Sequence, residues 1–213
     1  MRATTFVAGG MPLARLPLAR LLPAAAAVAV LVLAVGCGGS PATPSSPGPG
    51  AAGPESPTVL RAATLQPGQP VPVPKGKRVL TLTGMTSAAN QGRVVAFDRA
   101  GLDQLRLVQV QVHEPWVKQD LAFRGVWLQD LLEVAGAAAG VTTLHITALD
   151  DYQVDLTMTD VRAGGIMLAT SAGDGSAIPV GKGGPTRIIF LNGVKSGANA
   201  EQWIWSLKTI DLR

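Results

Sequence analysis

A single cysteine, Cys37, and two histidines, His113 and His145, are all that 213 residues hold of the side chains that most often ligate soft metals or act as nucleophiles. Nothing after Cys37 is therefore available to form an intramolecular disulfide or to give a thiolate to a metal. Two histidines do not make a convincing metal site without carboxylates such as Glu114. No Gly-x-Ser-x-Gly nucleophile elbow occurs, and no internal repeat is visible. Gly181-Lys182-Gly183-Gly184 lacks the Gly-x4-Gly-Lys-Ser/Thr spacing and a following helix, so it reads as a Gly-rich turn and not a phosphate loop. Basic surplus is missing as well. Of the 18 Lys and Arg, Arg2, Arg15 and Arg20 precede Cys37, which leaves 15 against 14 Asp and Glu in the rest of the chain. With a net charge near zero and no basic patch interleaved with aromatics, nucleic acid is excluded as a partner.

What is present begins with the leader. Arg15 and Arg20 form a basic region, and Leu21 to Val35 is an apolar run of about fifteen residues, short for a membrane span and typical of a signal sequence. Met11 also starts a leader of ordinary length. The run closes on Leu33-Ala34-Val35-Gly36-Cys37, which has the form of a bacterial lipobox. The expectation is a signal peptide over residues 1–36 and lipidation of Cys37, with an ordinary secretory leader or an N-terminal anchor helix as the alternatives. A lipobox cysteine becomes the new N-terminus, and several acyl chains hold a protein firmly to a membrane where one holds it marginally. The predicted location is the cell envelope, lipid-anchored and outside the cytoplasm.

Residues 37–74 read as a tether. Ten of the chain's sixteen prolines fall there, among Gly, Ser, Ala and Thr. Such a composition buries too little apolar surface to offset its ordering entropy, and at about 3.1 Å per residue it reaches something under roughly 100 Å. The alternative for Thr58 to Pro74 is an extended arm packed on the domain.

Residues 75–213 read as one domain. Alternation predicts strands over Val79–Thr83, Leu107–Val112, Leu144–Leu149, Gln153–Leu156, Ile166–Thr170, Arg187–Leu191 and Trp203–Leu212. Asp98 is an N-cap for a short helix through Leu105. Trp127–Ala135 places Leu128, Leu131, Leu132 and Ala135 on one helical face, with Gly136 to stop it. Gly125 suits a strand-to-helix turn, and Ala172-Gly173-Asp174-Gly175 suits a hairpin. Many strands and few short helices give an α+β class with mixed β-sheets.

Four stretches follow one another in a familiar order: Phe123-Arg124-Gly125-Val126-Trp127-Leu128-Gln129-Asp130-Leu131-Leu132, Ala148-Leu149-Asp150-Asp151-Tyr152, Leu168-Ala169-Thr170 with Asp174-Gly175, and Gly184-Pro185-Thr186-Arg187. Together with the Trp-rich closing strand they resemble the molybdopterin-binding domain of the sulfite-oxidase-like oxidoreductases, in a short bacterial form, over almost all of Val79 to Leu212. The resemblance implies the sulfite-oxidase-type molybdopterin-binding fold. It also implies a metal-ligating cysteine at or beside His113, and a pair of lysines for the pterin phosphate near Gln202 and Trp205. None of these positions carries the expected residue, and an imidazole is a poor replacement for a thiolate. Lys182, Lys195 and Arg187 are the substitutes for the lysine pair, so His113, Arg187 and Lys195 are the candidate cofactor-binding residues. Enzymes of this kind are exported folded behind a twin-arginine leader, whereas Arg15 and Arg20 stand apart.

The expected function is accordingly a non-catalytic ligand- or partner-binding protein with no metal and no cofactor, taking a small anionic ligand or a redox protein partner. The alternatives are a molybdopterin-dependent oxidoreductase, with molybdopterin as cofactor, and a structural partner of a redox subunit. Three local features carry their own readings. His113-Glu114 next to Trp116 suggests a polar pocket. Asp150-Asp151 reads as a turn cap before it reads as a cation site, since adjacent strand residues face opposite ways. His145 reads as a surface or satisfied core residue, and Trp127, Trp203 and Trp205 as core or rim aromatics.

Overall fold

A computed structural model describes residues 56–195 and 199–213. The expected signal peptide, Cys37 and the first part of the expected tether lie outside the described residues. Ten strands and three short helices make two five-stranded sheets. The first sheet has the order β1 (Thr58–Arg61), β4 (Leu107–Glu114), β5 (Gln119–Trp127), β8 (Ile166–Ala172), β9 (Arg187–Phe190), and every neighbour in it is antiparallel. The second has the order β3 (Val95–Asp98), β2 (Arg78–Gly84), β10 (Leu207–Leu212), β6 (Thr143–Ala148), β7 (Gln153–Thr157), and its β2–β10 pair is parallel. This is the α+β architecture with mixed sheets that the sequence predicts.

The pleat explains most of the pattern. In β4, Val108, Val110 and Val112 are buried while Gln111 and His113 are exposed, and in β6 Leu144, Ile146 and Ala148 alternate in the same way. Both sheets contribute to one continuous apolar cluster. Helix α2 (Leu128–Val134) adds Leu128, Leu131 and Leu132 to it, each contributing about 1.5–3 kcal/mol by full burial. It is followed by Gly136, whose φ of +67° lies in the left-handed region that favours glycine. Asp98 caps α1 (Arg99–Leu102): its Oδ1 accepts from Gly101 N at 2.8 Å, and its Oδ2 accepts from Gly76 N and Lys75 N at 2.8 and 2.9 Å. Helix α3 (Met158–Ala163) is capped by Thr157 and buries Met158 and Val161.

Four details differ from the sequence reading. Thr58–Arg61, placed in the tether, is an edge strand on β4, and Leu65 and Val71 behind it are 5% exposed, so the packed part begins well before Lys75. The prolines there do not interrupt the strand, because Pro57 precedes it and Pro67, Pro70, Pro72 and Pro74 follow it in irregular chain. The closing strand starts at Leu207 and not at Trp203, because Ser206 takes φ 52° and breaks the alternation. Gly125 sits inside β5 at a bulge and makes no turn. A Cβ on it would lie 2.2 Å from the carbonyl oxygen of Leu168, so glycine serves the close approach of β8. The strands β3 and β5 and the helix α3 are additional to those predicted. Among the described residues, no helix is long and apolar enough to cross a membrane.

Candidate functional site

The alternation that buries the valines of β4 also buries its last residue. Glu114 faces inward in line with Val112 and is fully buried. A lone carboxylate there would be costly, and Arg187 from β9 meets it: Nη2 donates to Glu114 Oε1 at 2.5 Å, with the two side chains 4% and 0% exposed. The second carboxylate oxygen, Oε2, accepts from Val117 N at 2.7 Å, while Lys118 N donates to Glu114 O at 2.8 Å. One buried acid thus pins the β4–β5 turn that carries Trp116. The Arg187 guanidinium lies over two rings, 4.6 Å from the Trp205 centroid and 5.3 Å from that of Phe123. Burial pushes its pKa down, and the hydrogen bond and charge of Glu114 oppose that. Nearby, Thr186 Oγ1, Arg187 Nε and Trp205 Nε1 are buried with no hydrogen-bond partner among the described residues.

Three connections meet around Trp205. The β4–β5 turn brings Trp116, the β6–β7 turn brings Asp150 and Tyr152, and the approach to β10 brings Glu201, Trp203 and Trp205. Leu149 N donates to Ser206 O at 2.8 Å, and Tyr152 Oη donates to the Glu201 carbonyl at 3.2 Å, so the second and third are tied together. These residues wall a cleft of about 460 Å³. A second cleft, of about 610 Å³, includes Phe123, Ile178, Lys182, Arg187 and Trp205 in its walls. Trp205 belongs to both.

The model of the oxidoreductase molybdopterin binding domain matches residues 74–212. The chain belongs to that family. Its fold is the sulfite-oxidase-type molybdopterin-binding fold. Among solved structures, the sulfane dehydrogenase SoxCD from Paracoccus pantotrophus is similar at 17% identity and a TM-score of 0.49, over 63% of this chain and 37% of that one. The chain therefore spans well under half the length of that relative. No curated protein matches the sequence.

The donor set of this molybdopterin-binding domain does not fit a thiolate-held molybdenum. The only cysteine, Cys37, lies outside the described residues, and no three His, Cys, Asp or Glu side chains come together among those described. His113, at or beside which the resemblance implies a metal ligand, has a ring 57% exposed, with Nδ1 2.9 Å from Asp120 Oδ1, and its backbone N–H donates to Asn192 Oδ1 at 3.0 Å. The buried cation of the domain, Arg187, is already neutralised by Glu114.

The three candidate residues are not gathered into one cradle. His113 is on the outer face of β4 and Arg187 on the inner side of the sheet, while Lys195 is exposed on the loop after β9. Lys182 shares a cleft wall with Arg187, and its carbonyl accepts from Arg187 Nη1 at 3.4 Å. Val180–Lys182 is a 3-10 turn capped by Gly183, which lies against the Trp205 ring. Asp150 caps the β6–β7 turn by accepting from Tyr152 N at 3.2 Å, and Asp151 takes φ 63° and pairs with Lys208 at 3.2 Å. His145 is half-buried, 2.7 Å from Asp155. Of the suspected polar pocket, Trp116 lines a cleft, Glu114 lies buried behind it and His113 faces away. The Glu114–Arg187 pair and the aromatic cleft are what sequence reasoning missed. The even-numbered register of Val108, Val110 and Val112 already placed Glu114 on the buried face.

Proposed function

We propose that this chain is a non-catalytic, ligand-binding member of the molybdopterin-binding domain family, held by lipid on Cys37 to a membrane of the cell envelope, outside the cytoplasm. The observation that carries the reading is the Glu114–Arg187 pair. A residue next to the family's metal-ligand position buries an acid, and that acid consumes the cation expected to face an anionic cofactor. Exposure of His113 and its engagement by Asp120 support the same conclusion, since a metal ligand has to be held toward a closed site. The separated Arg15 and Arg20 support export as an unfolded chain, which leaves a cytoplasmically inserted cofactor behind. The lipobox supports the anchor, and a small anionic ligand is disfavoured by the internal neutralisation of Arg187.

The test is molybdenum by elemental mass spectrometry and pterin fluorescence after denaturation, on full-length protein purified from its own host's membranes. The expected result is folded protein with neither. Near-stoichiometric metal and pterin would overturn the reading and restore the oxidoreductase alternative. For the anchor, Cys37→Ser is expected to move the protein from the membrane to the soluble fraction and to abolish incorporation of labelled palmitate. A membrane-bound Cys37→Ser protein would assign the attachment to an uncleaved helix.

A further inference from the structure

We infer that the cleft walled by Trp116, Tyr152, Trp203 and Trp205 binds a small organic cation, an ammonium or guanidinium group, with Asp150 and Glu201 as its counter-charges. This names the ligand class for the binding function proposed above and rests on that reading. The cleft has a one-sided chemistry. Its charged lining is two carboxylates, and no Lys, Arg or His takes part in its walls. Several acids elsewhere in the described residues have basic partners: Asp103 with Arg99, Asp130 with Arg106, Asp151 with Lys208 and Asp211 with Arg213. Asp150 and Glu201 pair with no basic side chain among the described residues, so two negative charges stand beside the cleft uncompensated. Aromatic faces add negative potential of their own, and several rings around one cavity with acids at the rim is the arrangement that holds an alkylated ammonium.

The walls are held open before any ligand arrives. Trp116 is 52% exposed and Tyr152 45% exposed, the kind of large apolar exposure that core packing does not require. Both are nevertheless fixed: Trp116 sits on the turn pinned by the two Glu114 contacts, and Tyr152 is tied at its N–H to Asp150 and at its hydroxyl to the Glu201 carbonyl. Trp203 packs on Phe190 with ring centroids 5.7 Å apart, and Arg187 stacks on Trp205. A pre-formed cavity of about 460 Å³ is within the range of small-molecule sites. A neutral polyol such as a sugar would need several fixed donors and acceptors. Besides indole N–H groups, which only donate, the hydrogen-bonding side chains here are the two carboxylates and a tyrosine hydroxyl that already donates to the Glu201 carbonyl, which favours charge over hydroxyl recognition.

Trp116 supplies the reporter. The full-length protein is titrated by tryptophan fluorescence with choline, cadaverine and methylguanidinium, and in parallel with 3,3-dimethylbutan-1-ol, the uncharged carbon isostere of choline. The expected result is saturable binding of at least one cation, about tenfold tighter for choline than for its isostere if choline is the one bound. Affinity should fall as sodium chloride rises. Glu201→Gln and Trp116→Ala should each weaken binding several-fold without moving the thermal melt, which separates loss of the site from loss of the fold. Equal affinity for choline and its isostere would replace the cation with a merely apolar ligand, and silence toward all three cations would overturn the inference outright. Its failure is distinguishable from that of the proposed function. Molybdenum and pterin in the native protein defeat the function whatever the titration shows, whereas metal-free protein that ignores the cations defeats only the ligand assignment.

Discussion

His113 and Glu114 are consecutive on β4, and each meets an oppositely disposed side chain, yet the strand turns one to water and the other to the core. The outer pair, His113 with Asp120, is more than half exposed on both sides; the inner pair, Glu114 with Arg187, is 0% and 4% exposed. The same kind of contact therefore has opposite consequences. Outside, solvent screens it and the partners remain replaceable. Inside, neither charge tolerates the loss of the other. His113 lies on the tolerant face, and its neighbour Glu114 is a structural lock.

Breaking the inner pair is the largest expected effect. Glu114→Gln leaves Arg187 buried without a counter-charge and should cost about 3–5 kcal/mol. For a domain of this size that is on the order of 10 °C in Tm by circular dichroism. Replacing both partners, Glu114→Leu with Arg187→Met, should recover most of that loss, because an apolar pair of similar volume removes the charge along with its partner. If the single variant melts like the parent, the lock does not exist.

Next in size is the ring that covers the guanidinium. Trp205→Leu keeps the ion pair but removes the face 4.6 Å from Arg187, and should cost about 2 kcal/mol in urea unfolding, the value of a desolvated cation–π contact. Because Trp205 also lines the 460 Å³ cleft, the same variant should weaken cation binding.

These contacts explain which parts of the molecule the sequence announced. Strands with one wet face, such as β4 and β6, alternate and were legible. β5 was not, because the bulge between Arg124 and Gly125 interrupts its period of two, and β3, buried at all four residues, has no alternation to read. Trp203, Trp205 and Leu207 alternate with Ile204, Ser206 and Lys208 in sequence, and the left-handed Ser206 divides them. The family could be read from short stretches in order, since each is a local turn or helix start. The lock could not, because Glu114 and Arg187 are 73 residues apart and the strands that carry them are not neighbours in the sheet. The cleft joins side chains from three separate connections, and no local pattern records their meeting.

A third carboxylate falls between the two extremes. Asp98 is buried like Glu114 but is answered by backbone N–H groups instead of a charge. Its pKa is held below the ordinary Asp range by the N–H of Gly76 first, then Gly101, with Lys75 adding a smaller part against the opposing effect of burial. The unfolded chain therefore takes up this proton at a higher pH than the folded one, so the stabilisation is present above about pH 4 and is lost as pH falls through the lower folded value. Asp98→Asn keeps an acceptor for the helix cap but turns an NH2 group toward the N–H groups of Gly76 and Lys75, and should cost about 1 kcal/mol at pH 7. The gap between variant and parent should narrow in urea unfolding at pH 3. A gap of constant size would mean that the hydrogen bonds matter and the charge does not.

The smallest effect sharpens the comparison from the other side. His113→Ala removes an exposed contact worth about 0–1 kcal/mol while leaving its backbone N–H to hold Asn192. The melt should move by less than about 3 °C. Cation binding should be unchanged, because the ring points away from the cleft. If instead the histidine had taken over the cysteine's role, the same substitution would strip molybdenum from protein prepared in its own host while leaving the melt of the metal-free domain alone. Metal content and melting temperature measured on one variant thus decide whether the outer face of β4 carries chemistry or only water.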